Sequence, residues 1–470
     1  MEDLLDHLCA HMRAADLVAR FSLDTTHRLV YADWLEQRGE PKRALAVRLH
    51  VHLEQLGYPL LMPPERSHAP WMNTATDGRT GNHLVAYRRL CQLWRRHRQQ
   101  WLSQYPPSLR RHIRFRAGLP WRFVGPADLL PAKMPRELSL VRSWRLTDPP
   151  SAKTHSAKSV FQNAYELEIS GPAWRDTLPN WLESGVIPES VVRFGVINGA
   201  LAAETIPHLL AQTWPAMRHL DVSGNALGAE AIAGIWLGLR YSPIVGLDLS
   251  RNAIGEGFSL FLDSGPPPRL KQLYCAGNHA EDIGTVMMGD SLCVRQLTSI
   301  NWMGNSLNPE GAEAIARWDA PMLRNLDISA NHLGAAGALH LGKSAWIKNL
   351  RYLNLAENNL REEGIGHLAP ALGQSLRRLA LDSNLLEASS CQFLAESPAR
   401  ENLMILELSR NRLGNRGWQL LSEKAWPRLR HLGLMLNDIG PDASAPSRDN
   451  FPRLARIRLA RPPEGESFTP

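Results

Sequence analysis

The chain has 470 residues, 44% of them hydrophobic and 21% charged, which are the proportions of a folded protein and exclude a disordered polyelectrolyte or a chain dominated by membrane spans. Its net charge of +7 is uneven: residues 1–150 hold 23 Lys and Arg against 14 Asp and Glu (+9), which leaves 53 − 23 = 30 against 46 − 14 = 32 (−2) for the remainder. The five cysteines, Cys9, Cys91, Cys275, Cys293 and Cys391, are odd in number, scattered and without a CxxC pair, so neither a disulfide framework nor a zinc site is indicated, and Cys275 is expected to be a buried thiol.

The first twenty residues mix acids and bases among their apolar positions, unlike a cleaved signal sequence, and no stretch approaches the ~20 apolar residues of a membrane helix. A cytoplasmic address without membrane association is therefore expected. His7, Cys9 and His11 place two histidines on one helix face, but two ligands do not make a metal site and none is assigned. Residues 26–49, THRLVYADWLEQRGEPKRALAVRL, carry apolar residues at helical spacing and break at Gly39 and Pro41, which predicts a helical hairpin. Through Arg28, Leu29, Val30, Tyr31, Ala32, Asp33, Trp34, Leu35, Glu36, Gly39 and Glu40 this segment resembles a short bacterial companion domain that precedes repeat arrays. The run ALAVRLHVHL departs from that domain's pattern. The resemblance implies co-occurrence with repeats and no reaction.

A front domain is thus expected over 1–59, followed by a Pro-, Thr-, Asn- and Gly-rich loop over 60–83. From 78 to 127 there is no acid but there are eleven arginines: Arg79, Arg88, Arg89, Arg95, Arg96, Arg98, Arg110, Arg111, Arg114, Arg116 and Arg122. Trp94, Trp101 and Trp121 lie among them, and Arg with aromatics is a composition that grips phosphates and stacks on bases. The plainer reading is an amphipathic helix whose Leu90, Leu93, Trp94, Trp101 and Leu102 pack inward beneath a solvated basic face. Residues 84–135 are assigned to this basic helical segment and the start of a cap.

The repeat array is expected over 136–460, with a tail at 461–470. Degenerate coils fill 136–200: VRSWRLTDP and YELEISGP keep an apolar pair, and VVRFGVING puts Gly199 in a slot that asparagine fills later. Over 201–440 the pattern LxxLxLxxN recurs with its asparagine at Asn225, Asn252, Asn278, Asn305, Asn331, Asn358, Asn384, Asn411 and Asn437, spaced alternately by 27 and 26 residues. LARIRLARP closes the array in a last coil over 441–460. Each LxL is a short strand with one apolar face and nothing of its own to bury it, so neighbouring coils must stack into a shared core. Burying each such leucine contributes roughly 1.5–3 kcal/mol. The asparagines are expected to form an interior ladder on backbone groups left unpaired by the turn, and segments such as NALGAEAIAGI to form helices behind the strands.

These motifs resemble the leucine-rich-repeat superfamily, and the alternating repeat lengths resemble its ribonuclease-inhibitor-like class. The resemblance implies an α/β right-handed solenoid (horseshoe), with parallel strands on the concave face, helices on the convex face and an N-terminal helical cap. Residues flanking the inward leucines then form two exposed rows, His219, Gln272, Asn325, Tyr352, Arg378 and His431 beside Asp221, Asp248, Tyr274, Asn301, Asp327, Asn354 and Glu407. A protein partner on this strip is the leading expectation, with the chain a monomer. The alternative is a nucleic-acid-associated protein docking through 88–122. No catalytic residues and no cofactor are assigned: in His219, Asp221 and Ser223 the acid lies between the other two, where a triad needs the histidine. Trp302, Trp214, Trp318, Trp346 and Trp426 are expected to pack in the core.

Overall fold

The computed structural model describes residues 25–55, 82–103, 105–116, 119–130, 141–150, 161, 164–212, 215–259, 265–440, 443, 446–454 and 456–458. The spacing at His7, Cys9 and His11, nearly all of the 60–83 loop, Trp214 and the 461–470 tail lie outside them. The chain divides into two units, one of residues 1–201 with 207–217 and one of residues 202–206 with 218–470.

The first unit opens with helices α1 (Thr25–Gln37) and α2 (Pro41–Gln55), which pack against each other and are parted by Gly39 at φ +78°. Tyr31, Ala32 and Leu35 of the first helix and Ala44, Val47 and Val51 of the second are buried. Arg48 reaches Asp33 at 2.7 Å and Glu36 at 2.6 Å. Helix α3 (Asn82–Leu102) follows and packs against α2.

Strands β1 (Ile113–Arg116) and β2 (Leu119–Gly125) then form an antiparallel hairpin. This departs from the expectation of helix across 84–135. Ile113 and Phe115 alternate with polar neighbours and are buried, as is Phe123 across the hairpin, so a two-residue period governs here despite the arginines. From β2 onward pairing is parallel, through β3 (Ser143–Leu146), β4 (Glu166–Ser170) and β5 (Arg193–Ile197). The ladder thus begins at residue 119, ahead of the 136 boundary expected from the sequence. Its inward row is Phe123, Trp144, Leu167 and Phe194, aromatic at three of its four positions. Trp144 lies 5.6 Å from Phe123 and 5.4 Å from Phe161 between ring centroids, so large rings fill coils that lack the full leucine set.

The second unit is the regular array. Ten three-residue strands, β6 (His219–Asp221), β7 (Gly246–Asp248), β8 (Gln272–Tyr274), β9 (Ser299–Asn301), β10 (Asn325–Asp327), β11 (Tyr352–Asn354), β12 (Arg378–Ala380), β13 (Ile405–Glu407), β14 (His431–Gly433) and β15 (Arg456–Arg458), pair in parallel without a slip of register. Leu220, Leu247, Leu273, Ile300, Leu326, Leu353, Leu379, Leu406 and Leu432 form the buried inward row. Most coils return through a helix behind the sheet, such as Gly228–Gly238, Pro309–Ala316 or Gly334–Gly342. This is an α/β leucine-rich-repeat solenoid.

All nine repeat asparagines are buried and in file. Asn252 is typical: its Nδ2 donates to Leu249 O of its own coil and Val222 O of the preceding one, both at 3.0 Å, and its Oδ1 accepts the backbone N–H of Asn225 at 3.3 Å. The residue just before each asparagine has positive φ, and only Gly224, Gly277 and Gly304 are glycine there; Arg251, Ala330, Glu357, Ser383, Arg410 and Leu436 hold it with a side chain.

Trp302, Trp318, Trp346 and Trp426 are buried. Trp302 occupies the inward position that Cys275 holds one coil earlier, and its ring lies 5.0 Å from Phe258. A Cβ on Gly289 would sit 2.7 Å from Trp318, so that glycine makes room for an indole.

Candidate functional site

In-register pairing turns alternation along each short strand into continuous rows across the sheet. The register sets His219, Gly246, Gln272, Ser299, Asn325, Tyr352, Arg378, Ile405 and His431 side by side. Two residues along, it aligns Asp221, Asp248, Tyr274, Asn301, Asp327, Asn354, Ala380, Glu407 and Gly433. Each strip residue picked out in the sequence occupies one of these two rows.

Several members of the second row also serve the chain locally. Asp221 and Asp248 each use Oδ1 to accept the N–H two residues on, from Ser223 and Ser250, at 2.9 Å. Asn301, Asp327 and Asn354 do the same for Met303, Ser329 and Ala356. This short-range bond explains why Asp and Asn recur after the inward leucine. Tyr274 donates from its hydroxyl to Gln272 Oε1 at 3.3 Å.

The side chains cohere most over β10 to β12. Asp327 Oδ2 accepts from Asn354 Nδ2 at 2.9 Å and from the Tyr352 hydroxyl at 3.3 Å, while the Arg378 guanidinium lies 5.1 Å from the Tyr352 ring centroid. Burial first, then the Asp327 charge, pushes the Tyr352 phenol up to about 12, against the opposing pull of Arg378. Tyr352 is therefore a neutral hydrogen-bond donor at physiological pH.

Acids meet at two other places. Desolvation, then the neighbouring Asp221, raises Asp248 above the ordinary carboxylate range. Further along, His431 Nε2 lies 2.8 Å from Glu407 Oε1, and Asp382 is raised by burial and then by Glu407. Asp382 was missed in the sequence because it stands one alternation later than the other row acids, in LALDSN rather than LDLSRN. There it accepts the backbone N–H of Ser409 at 2.9 Å. The chain closes up at glycines on this face: a Cβ at Gly246 would meet His219 Nδ1 at 2.3 Å, and one at Gly433 would meet Glu407 Oε2 at 1.8 Å.

In the set His219, Asp221 and Ser223, the Asp221 Oδ1 accepts the Ser223 backbone N–H. Among the described residues no three His, Cys, Asp or Glu side chains are grouped to hold a metal. Burial raises the thiols of Cys275, Cys293 and Cys391, the latter two to about 12, which leaves them protonated and unreactive. No helix among the described residues is long and apolar enough to cross a membrane.

In the first unit, Trp94 and Trp101 are only 7% and 8% exposed and pack on each other at 6.1 Å, with Trp94 also 5.3 Å from Phe115. The indoles therefore belong to the core and offer no stacking platform. Arg89, Arg95, Arg96, Arg98 and Arg111 are exposed, and Arg110 and Arg114 are half-buried. The Arg88 side chain lies outside the described residues. Arg122 lies on the strand face at 3.2 Å from Glu168, which Arg145 also contacts.

No family model matches the chain. Human NACHT, LRR and PYD domains-containing protein 12 is 27% identical over 288 residues, 52% of this chain and 27% of the relative. Ribonuclease inhibitor from Sus scrofa is 26% identical over 253 residues, 44% of this chain and 55% of the relative. The chain thus matches about a quarter and about half of the length of these two proteins. A solved structure of the leucine-rich-repeat-containing protein LegL7 from Legionella pneumophila aligns with a TM-score of 0.43 and 19% identity, covering 57% of this chain and 90% of that one. The sequence relatives agree with a leucine-rich-repeat fold of ribonuclease-inhibitor-like coils.

Proposed function

We propose that this chain is a protein-interaction scaffold that performs no reaction of its own and binds a partner protein on the strand face of its regular array. The contact residues are His219, Asp221, Asp248, Tyr274, Asn301, Asp327, Tyr352, Asn354, Arg378, Glu407 and His431. One observation carries this reading: Asp327, Tyr352, Asn354 and Arg378 are tied together across three strands before any partner arrives. Side chains already held in place lose little freedom on binding, and Tyr and Arg are the residue types on which interface energy concentrates. The sequence relatives, repeat proteins that include an inhibitor of ribonuclease by name, support a binding role in general terms. The companion-domain resemblance over 26–49 fits a chain built around repeats.

The test is affinity capture followed by cross-link mapping, with the full chain and with the variant Asp248→Ala/Tyr274→Ala/Tyr352→Ala. Capture of a protein that cross-links along β6–β14 and is lost with the variant is the expected result. A partner retained by the variant, or cross-linked only to the helices behind the sheet, defeats the proposal.

A further inference from the structure

A different surface, independent of the strand face, points to a second kind of ligand. Helix α3 buries Ala86, Leu90, Leu93, Trp94 and Trp101 along one side. On the other side every exposed position from 89 to 100 is Arg or Gln: Arg89, Gln92, Arg95, Arg96, Arg98, Gln99 and Gln100. Among the described residues, none of these four arginines forms an ion pair. Some exposed arginines elsewhere do find acids, as Arg295 does with Asp319 and Arg317 with Glu313. Beyond the helix, Arg110 and Arg114 donate to the backbone carbonyls of Tyr105 and Arg111, which orients them without neutralising them.

We propose that the exposed face of α3 binds the phosphate backbone of double-stranded DNA. Uncompensated guanidiniums repel one another and are best relieved by a dense, regularly spaced anion. From Arg89 to Arg98 the helix rises about 13 Å, the axial length over which one strand of a duplex presents about four phosphates. The face lacks the apolar centre that a protein interface needs. Its tryptophans are buried, so it lacks the aromatic platform on which single strands stack. The deep, narrow major groove of duplex RNA does not admit a helix, whereas that of B-form DNA does. Gln92 and Gln99 add neutral donors and acceptors between the cations.

The test is fluorescence anisotropy of the full chain with a labelled 20-base-pair DNA duplex of mixed sequence, across a salt series. Engagement of four phosphates gives a slope of log K against log salt of about −3.6. The variant Arg95→Gln/Arg96→Gln/Arg98→Gln is expected to bind at least ten-fold more weakly and to lower that slope by two to three. Arg410→Gln/Arg412→Gln/Arg416→Gln removes the same charge from exposed positions of the other unit and is expected to leave binding unchanged. Circular dichroism establishes that each variant is folded. The proposal is overturned if both triple variants weaken binding equally or neither does. It is also overturned if single-stranded DNA or duplex RNA binds as tightly as the DNA duplex, or if polyglutamate at equal charge displaces it. None of these readouts depends on the strand face.

Discussion

The backbone N–H of Asn278 donates to Oδ1 of Asn305, 27 residues later in the chain, at 2.9 Å. The same amide oxygen is 3.3 Å from the Ala280 N–H, and its Nδ2 partner donates to Cys275 O at 2.9 Å. One side chain thus satisfies backbone groups on the preceding coil that no water reaches, because Asn305 is fully buried. A covalently distant neighbour completes each turn, and the interior is stitched coil to coil.

Replacing Asn305 with alanine strands those groups in the core. Each unpaired buried amide or carbonyl costs about 1–3 kcal/mol, so Asn305→Ala is expected to lose about 3 kcal/mol or more. Asn305→Asp keeps the acceptor but turns an oxygen onto the Cys275 carbonyl in a fully buried site, and is expected to be no more stable than Asn305→Ala at pH 7. Urea unfolding followed by circular dichroism measures both; an Asn305→Ala variant as stable as the parent refutes the account of the ladder.

Ala330 stands immediately before a ladder asparagine at φ +53°, a conformation that disfavours side chains. The left-handed penalty exceeds the entropic cost of glycine, so Ala330→Gly is expected to stabilise the protein by about 0.5–1 kcal/mol. Ala338→Gly, within the helix Gly334–Gly342, is expected to destabilise it by about 1 kcal/mol or more. Opposite signs for one chemical change, read from paired melting curves, are the result that matters.

Tyr352 is expected to ionise near 12 in a spectrophotometric titration. Asp327→Asn removes a negative charge that opposes the phenolate and lowers that midpoint. Arg378→Gln removes a positive charge that favours the phenolate and raises it. Midpoints that move in the other directions, or stay put in both variants, contradict the network over β10–β12.

Burial and Asp221 raise Asp248 in the folded state, so the folded protein holds that proton more tightly than the unfolded chain. Its contribution to stability is present below the unfolded midpoint and is lost as pH rises through the folded one. Asp248→Asn, whose amide oxygen still accepts from Ser250, is therefore expected to melt higher than the parent at pH 7, with the gain disappearing at pH 3. Thermal unfolding at the two pH values checks it; equal gains at both refute the charge explanation.

Much of this organisation was legible because one chemical need recurs at fixed spacing. Leu326 and Asn331 announce a coil through their separation alone, and strand alternation assigns Tyr352 and Asp327 to the outer rows. The sequence was less informative where a coil is filled differently. Trp144 and Phe123 occupy inward slots without a leucine signature, and the hairpin holding Phe115 and Phe123 was masked by arginines that suggested a helix. Asp382 escaped because the rows were extrapolated from the other acids, whereas it bonds Ser409 on the next coil. Trp94 and Trp101 were legible as well: helical spacing put them on the inward side of a basic helix, and both are buried there.

Because β6 to β15 pair residue for residue with no offset, every coil contributes one residue to each outer row at the same angular position. Duplicating or deleting a whole coil between adjacent asparagines would lengthen or shorten both rows by one place without turning any side chain inward. Such a chain can change the length of its strand face by unequal exchange of gene segments, while the interior chemistry of each turn is inherited unaltered.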